Sequence, residues 1–175
     1  MRHSFFSPLA LHFKVLWVKY TKFRDFMIEL VAVKMLFPVA GILQQKSPGH
    51  LEIADLCKLP QGTFGEELGR HMKHYKIDFI PGFEEHDMKH LLLNYPLTVV
   101  GEMRLSAFEF GTGNRSFMTL GVFFPAMVLA PELWTILMAD FKQGQINKQT
   151  RRIHLKSLIH SAFTEVIEKL GVKSL

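Results

Sequence analysis

Apolar residues recur three and four positions apart along most of this 175-residue chain, and this helical period constrains the fold more than any other feature. No stretch of useful length alternates apolar and polar residues as a half-buried strand would. The length suits one compact domain with a sizeable core and is too short for two. We therefore expect an all-α, single-domain helical bundle covering residues 1–175.

Prolines, glycines and capping residues divide the chain into predicted helices. Thr63 and Glu66 have the spacing of a capping box, so a helix should begin there. Gly171 provides a stop for the last helix. In addition to the two helices discussed with the site below, the pattern predicts helices over residues 9–37, 50–59, 63–76, 131–144 and, as one amphipathic helix, 150–170.

The most apolar stretch is FMTLGVFFPAMVLAP, residues 117–131, which has no charge. It is shorter than the roughly 20 residues that a membrane-spanning helix needs, and Pro125 interrupts it. We therefore expect a buried or interfacial hairpin there. The chain also contains 16 Phe and 9 Met, most of which we assign to an ordinary core and part to the lining of an apolar pocket.

The positive charge is concentrated at the two ends of the chain. Residues 1–24 carry five basic residues and no acid, and residues 142–175 carry seven basic residues and two acids. These basic residues are interleaved with apolar ones at helical spacing, which favours an anionic phospholipid surface over nucleic acid. A solvated helix face is the plainer alternative.

The single cysteine, Cys57, excludes a disulfide within the chain and indicates a reducing compartment. The N-terminal residues do not match a secretory signal, because Lys14 interrupts the apolar run and no small-residue cleavage site follows. The absence of acidic residues before Asp25 leaves an organellar transit peptide open.

A predicted helix hairpin covers EEHDMKHLLLNYPLTVVGE, residues 84–102, and the residues that follow it. The first helix runs from about residue 84 to 94 and is broken by Pro96, which places Tyr95 in the turn. The second helix begins at the capping residue Thr98 and ends at the glycines 111 and 113. Gly101 would let the two helix backbones come close.

Four metal-competent side chains lie on this hairpin. His86 and His90 are four residues apart, so both project from one face of the first helix. Asp87 lies on an adjacent part of that face, where it either ligates directly or orients an imidazole. Glu102 can supply a ligand from the returning helix. Two nitrogens with carboxylate oxygens suit zinc, iron, manganese or cobalt, so we expect a divalent-metal site on the hairpin.

Several alternatives concern the same residues. His86 and His90 alone could be a solvated pair or packed core histidines. Glu109, seven residues after Glu102 on the same helix stripe, is a candidate base or a group that supports the ligands. An HD-type phosphohydrolase would use His86 and Asp87 with His71 or His50 and with Asp140, which leaves His90 and Glu102 unexplained. The HExxH, ExxH, GxGxxG and P-loop patterns are absent.

The pattern His86-Asp87-x-x-His90 followed after eleven residues by Glu102 resembles the HDxxH-x11-E motif of the ubiquinone (coenzyme Q) biosynthesis protein 4 homologues. The resemblance continues through GEMRLSAFEF and the following Thr112 and Gly113, and it covers roughly residues 60–171. Two features differ from the family. The chain has Asn114 and Arg115 where the family commonly has Leu-Pro, and the basic run TRRIHLK replaces an aromatic-acidic signature.

The resemblance implies an all-α fold and a divalent metal, usually zinc, held by residues matching His86, Asp87, His90 and Glu102. It also implies an isoprenoid lipid bound in an apolar channel, and a complex with other lipid-quinone biosynthesis proteins. The activity it implies is oxidative decarboxylation with hydroxylation of a prenylated 4-hydroxybenzoate-derived ring. The implied location is peripheral, at the inner face of a cytoplasmic membrane or, in a eukaryote, the matrix side of the mitochondrial inner membrane.

Together these observations predict a metal-dependent protein that binds a prenylated phenolic or quinone lipid beside an anionic membrane surface, with no nucleic acid partner and with a homodimer as a candidate assembly. The lipid tail is expected to lie against the side chains of Phe108, Phe117, Phe123 and Phe124. The rival hypothesis is a non-catalytic lipid-binding scaffold in which the metal is structural.

Overall fold

The computed structural model describes residues 8–31, 51–80 and 82–171, and it shows the predicted all-α helical bundle. The helices are α1 (Pro8–Glu29), α2 (Ile53–Leu56), α3 (Phe64–Tyr75), α4 (Glu84–Leu92), α5 (Val99–Thr112), α6 (Phe117–Leu129), α7 (Trp134–Ile146) and α8 (Phe163–Leu170). Short 3₁₀ segments cover Pro131–Leu133, Lys148–Arg152 and Leu155–Leu158. Among the described residues the β pairing is one isolated bridge, between Thr63 and Ala162.

Several predicted helix ends are confirmed. The Thr63 hydroxyl accepts a hydrogen bond from the Glu66 amide at 3.3 Å, so Thr63 caps α3. Gly171 has a φ of 61° and ends α8 in the left-handed conformation. The helix predicted over residues 50–59 is reduced to the single turn of α2. The first helix is predicted to run to residue 37, and residues 32–37 lie outside the part of the chain that the structure describes.

The predicted hairpin over residues 117–131 is wrong, because most of this stretch forms the continuous helix α6. The Ser116 hydroxyl accepts a hydrogen bond from the Thr119 amide at 3.2 Å and so caps the helix. Pro125 lies inside α6 and removes one helical hydrogen bond. Burial of Val122, Phe123 and Ala126 against the bundle stabilises the helix in spite of this loss.

The predicted single helix over residues 150–170 is also wrong, because only its last eight residues form α8. The first turn of α3 uses the backbone groups that a longer helix would need. The Gly65 amide donates to the Ile159 carbonyl at 2.8 Å, and the Phe64 amide donates to the Ser161 carbonyl at 2.9 Å. These amides are among the first four of α3, which have no partner within their own helix.

Helix α5 is the centre of the bundle and contributes to both hydrophobic clusters of the described residues. Leu105 and Phe108 pack into the cluster that includes residues of α3, α4 and α8. Met103 and Ala107 pack into the cluster formed with α1, α6 and α7. A helix buried on both sides is held in register, so the side chains that α5 presents have well-defined positions.

Two glycines allow α5 and α7 to pack in close contact. A Cβ atom on Gly111 would lie 2.1 Å from the Phe141 carbonyl oxygen, and one on Gly144 would lie 2.0 Å from the Phe108 carbonyl oxygen. Both distances are far shorter than van der Waals contact, so neither position accepts a larger residue without a backbone shift.

Candidate metal centre

The predicted hairpin is present as α4, a short connection and α5, and hydrogen bonds define the connection on both sides. Tyr95 lies in the connection, and its amide donates to the His90 carbonyl at 2.9 Å. The Thr98 hydroxyl accepts from the Gly101 amide at 3.3 Å and caps α5, as predicted. Gly101 is needed because a Cβ there would lie 1.7 Å from the Pro96 carbonyl oxygen. The close approach is therefore between α5 and the connection rather than between the two helices.

Three of the four predicted ligands converge between the arms of the hairpin. The Nε2 atom of His86 lies 3.1 Å from the Glu102 carboxylate, and the Nε2 atom of His90 lies 3.1 Å from its other oxygen. The two Nε2 atoms are 3.2 Å apart. One ligand atom from each residue fits within a 4.8 Å span, and the described part of the chain holds no other such group of three.

Asp87 does not contribute an atom to this cluster. It lies one residue after His86 on α4 and lines an adjacent cavity. Burial raises the pKa of the Asp87 carboxyl to about 6, against the opposing effect of the two histidines. The cluster therefore offers two imidazole nitrogens and one carboxylate, with Asp87 placed beside them.

The histidines and Glu102 are strongly coupled in the metal-free protein. Burial by itself would lower the pKa of His86, but the adjacent Glu102 carboxylate raises it to about 9. Burial likewise opposes ionisation of Glu102, yet His86 and His90 hold the pKa of its carboxyl far below the usual range. At neutral pH the site thus contains a carboxylate and a protonated imidazole in contact, and a bound cation would replace that proton.

Glu109, the candidate base, lies buried two turns after Glu102 on α5 and has several hydrogen-bond partners. Lys89 donates to one of its oxygens at 2.6 Å, and the Thr119 hydroxyl donates to the other at 2.9 Å. Although burial alone would raise the pKa of Glu109, Lys89 and His86 lower it. A carboxylate with a lowered pKa is a weak base, so the structure fits Glu109 better as a link between α4 and α5 than as a proton acceptor.

An apolar cavity of about 350 Å³ adjoins the cluster, and Glu102 forms part of its wall. Its apolar lining consists of Ile28, Ile77, Ile80, Phe83, Leu97 and Val99. Four carboxylate residues, Glu29, Asp78, Asp87 and Glu102, also line it. The cavity therefore places a metal-competent carboxylate next to apolar walls that come from α1, from the segment before α4 and from the hairpin connection.

None of the four phenylalanines expected to contact a lipid tail lines this cavity. Phe108 is buried in the core, and Phe123 stacks on Phe110 with ring centroids 4.4 Å apart. Phe117 and Phe124 are exposed. The sequence pattern does not identify the residues that line the cavity. The apolar residues of IDFIPGF, directly before the motif helix, were the available indication, because this segment supplies Ile77, Ile80 and Phe83.

The residues required by an HD-type phosphohydrolase do not assemble among the described residues. Asp140 is bound by Arg104, whose Nε donates at 2.8 Å, and by the Tyr95 hydroxyl, which donates at 2.7 Å. His71 lies on α3 and is not part of the cluster, and its Nε2 has no hydrogen-bond partner within the described structure. His50 lies outside the described residues.

Comparison with known proteins gives a likeness to a solved structure. No family model matches the sequence, and no curated protein matches it. A crystal structure from Nostoc punctiforme, of a protein that carries the provisional name ubiquinone biosynthesis protein, superimposes with a TM-score of 0.56. The match covers 89% of this chain and 82% of the other, at 22% sequence identity. At that identity the likeness shows that the two chains share a fold.

Proposed function

We propose that this protein binds a divalent metal ion and acts on an isoprenoid lipid in the biosynthesis of ubiquinone or a related quinone. The observation that carries the proposal is the convergence of His86 and His90 on Glu102, which also lines an apolar cavity. The shared fold with a protein named for ubiquinone biosynthesis and the HDxxH-x11-E pattern support the same conclusion.

The donor set fits zinc first, with iron, manganese or cobalt as alternatives. Two imidazoles and one carboxylate are a combination that catalytic zinc sites use, and three protein ligands leave a coordination position for a substrate oxygen. His86, His90 and Glu102 would hold the ion, and Asp87 would orient a ligand or complete the set. A bound metal would supply Lewis-acid stabilisation of negative charge on a phenolate or carboxylate.

The cavity is suited to the head group of such a substrate. Its volume of about 350 Å³ falls within the range of small-molecule sites, and its walls are largely apolar. A prenylated 4-hydroxybenzoate-derived ring would place its aromatic body against Phe83, Leu97 and Val99 and its oxygen substituents towards Glu102 and the metal. The reaction proposed is oxidative decarboxylation with hydroxylation at one ring carbon. The bond between the ring and the carboxylate carbon breaks with release of CO2, and a ring carbon–oxygen bond forms. Dioxygen and an external two-electron donor are co-reactants: one oxygen atom enters the ring hydroxyl and the other leaves as water.

The surface of α1 supports peripheral attachment to a membrane. Phe13, Trp17 and Phe23 are each more than half exposed, and Lys14, Lys19 and Lys22 lie on the same helix. Exposed aromatic side chains of this kind can enter the head-group boundary of a bilayer, and lysines are attracted to anionic lipid head groups. We propose that α1 rests on an anionic membrane, on the cytoplasmic side or, in a eukaryote, the matrix side of the mitochondrial inner membrane.

No single helix among the described residues is long and apolar enough to cross a bilayer. The segments Phe117–Leu129 and Pro131–Ile146 together meet the criteria of length and composition, but the chain bends by 102° between them.

The test of this function is turnover of a prenylated 4-hydroxybenzoate-derived acid in the presence of dioxygen and an electron donor, with the substrate and product masses followed by mass spectrometry. We expect the wild-type protein loaded with metal to convert the substrate and Glu102→Gln to be inactive, because the ligand carboxylate is lost. Glu67→Gln is the matched control, since Glu67 lies on α3 and pairs with the exposed Arg70. Equal activity of Glu102→Gln and wild type would contradict the proposal.

A non-catalytic lipid-binding scaffold is the second candidate, and the exposed apolar side chains favour it. Besides those of α1, Phe117, Phe124 and Val128 are exposed on α6 and offer a surface for a lipid, for other biosynthetic proteins or for a second copy of the chain. The two candidates differ in their response to a chelator. Metal removal would unfold a scaffold built around a structural ion, whereas an enzyme would lose its activity and keep its fold.

A further inference from the structure

The ring of His90 is held by its neighbour Tyr95. The His90 side chain is fully buried, and its Nδ1 atom lies 3.3 Å from the Tyr95 carbonyl oxygen. A carbonyl oxygen only accepts hydrogen bonds, so Nδ1 must carry the proton in this contact. The other ring nitrogen, Nε2, then faces Glu102 and His86. Tyr95 therefore selects which nitrogen of His90 is presented to the cluster.

Tyr95 is in turn fixed by a partly buried ion pair. Its hydroxyl donates to Asp140 of α7 at 2.7 Å, and its ring lies 4.4 Å from the guanidinium carbon of Arg104. Arg104 donates to both oxygens of Asp140, at 2.8 and 3.1 Å. Tyr95 and Asp140 are buried, so these contacts are poorly screened by water.

The same ion pair reaches both arms of the hairpin. Arg104 lies on α5, two residues after the ligand Glu102. Tyr95 lies in the connection and holds the ligand His90 through its carbonyl oxygen. One carboxylate, Asp140, therefore restrains the positions of ligands on both α4 and α5 from a third helix.

We propose that Tyr95 and Asp140 are positioning residues of the metal centre, which orient His90 so that Nε2 faces the ion and keep Glu102 at the matching distance. This rests on the proposed metal binding and adds the groups that set its affinity. Hydrogen-bonded partners of ligating histidines fix the tautomer and the ring orientation. Here that partner is a backbone carbonyl whose own position depends on the Tyr95 side chain.

The test is metal titration of purified Tyr95→Phe, with zinc as the probe and a competing chelator as the reporter. We expect affinity to fall by about tenfold, the lower end of the effect known for partners of metal-bound histidines. Tyr20→Phe is the matched control, because it removes a tyrosine hydroxyl that donates to the Leu129 carbonyl at 2.7 Å, between α1 and α6. We expect unchanged affinity in that control.

Nitrogen-15 NMR of metal-free protein provides a second readout that does not require metal binding. We expect His90 of the wild type to be protonated at Nδ1, and Tyr95→Phe to lose this fixed state. Wild type that binds no zinc would refute the proposed function, and with it a role at a metal centre. An Nδ1 proton present in that wild type and lost in Tyr95→Phe would still show that Tyr95 orients the His90 ring. A folded Tyr95→Phe with wild-type affinity and an unchanged His90 spectrum would overturn the positioning role. Asp140→Asn tests the positioning role from α7. If Asp140→Asn does not fold, the result for Tyr95→Phe, which keeps the aromatic ring, decides whether the positioning role holds.

Discussion

Replacement of Gly101 by alanine should damage the fold and the metal centre together. The new Cβ would lie 1.7 Å from the Pro96 carbonyl oxygen, whereas ordinary contacts begin near 3.4 Å, so backbone must move by more than an ångström. Overpacking of this kind costs about 3 kcal/mol. The higher helix propensity of alanine offsets about 1 kcal/mol, which leaves a net loss of about 2 kcal/mol.

The required movement involves both ligand arms. Pro96 follows Tyr95, which holds His90, and Gly101 directly precedes Glu102. We therefore expect zinc affinity to fall by more than the loss of stability alone explains. Urea unfolding in the presence of a chelator measures the stability, and zinc titration under native conditions measures the affinity.

Gly65→Ala serves as the control for this experiment. A Cβ there would lie 2.8 Å from the Ile159 carbonyl oxygen, so this variant should also be destabilised, but at the start of α3 and away from the hairpin. We expect its folded fraction to bind zinc as the wild type does. Gly101→Ala with wild-type stability, or with the zinc affinity of Gly65→Ala, would refute the reasoning.

Two further predictions concern charged groups. The pKa of His86 is raised to about 9 in the metal-free fold, so its stabilising contribution is fully present below the unfolded value near 6.5 and is lost as pH rises towards 9. Urea midpoints in chelator should therefore fall over this range in the wild type and stay flatter in His86→Ala; equal slopes would contradict the coupling to Glu102. Lys89→Met should destabilise the protein by about 2 kcal/mol because it leaves the buried Glu109 carboxylate without its cation. Adding Glu109→Gln should recover part of the lost stability, measured by thermal unfolding. No recovery would show that Lys89 does not stabilise the protein through Glu109.

The hairpin could be predicted from the sequence because its determinants are local. The spacing of His86 and His90 places both on one helix face, and Thr98 marks the start of the returning helix by a hydrogen bond to its own first turn. Glu102 follows from the same local geometry. These short-range rules apply whatever surrounds the hairpin, which is why three of the four predicted ligand residues meet in the structure.

The parts that could not be predicted depend on contacts distant in sequence. The Ile159 carbonyl accepts a hydrogen bond from the first turn of α3, almost a hundred residues earlier, and no local sequence pattern indicates this contact. The cavity wall likewise includes Ile28 of α1, and from the sequence an apolar side chain at this position is expected simply to lie in the core. The prediction that Phe108 contacts a lipid tail differs from its position in the core, because a buried core site and the lining of an apolar pocket both require an apolar side chain.

The most direct test of the central claim is metal analysis by mass spectrometry of wild type and of His86→Ala/His90→Ala, both purified without histidine tags. We expect about one equivalent of divalent metal in the wild type, the stoichiometry of a single three-ligand site. We expect its loss in the double variant, with helical content retained in circular dichroism. Folded wild type that contains no metal and takes up none on addition, or a double variant that keeps a full equivalent, would contradict the account.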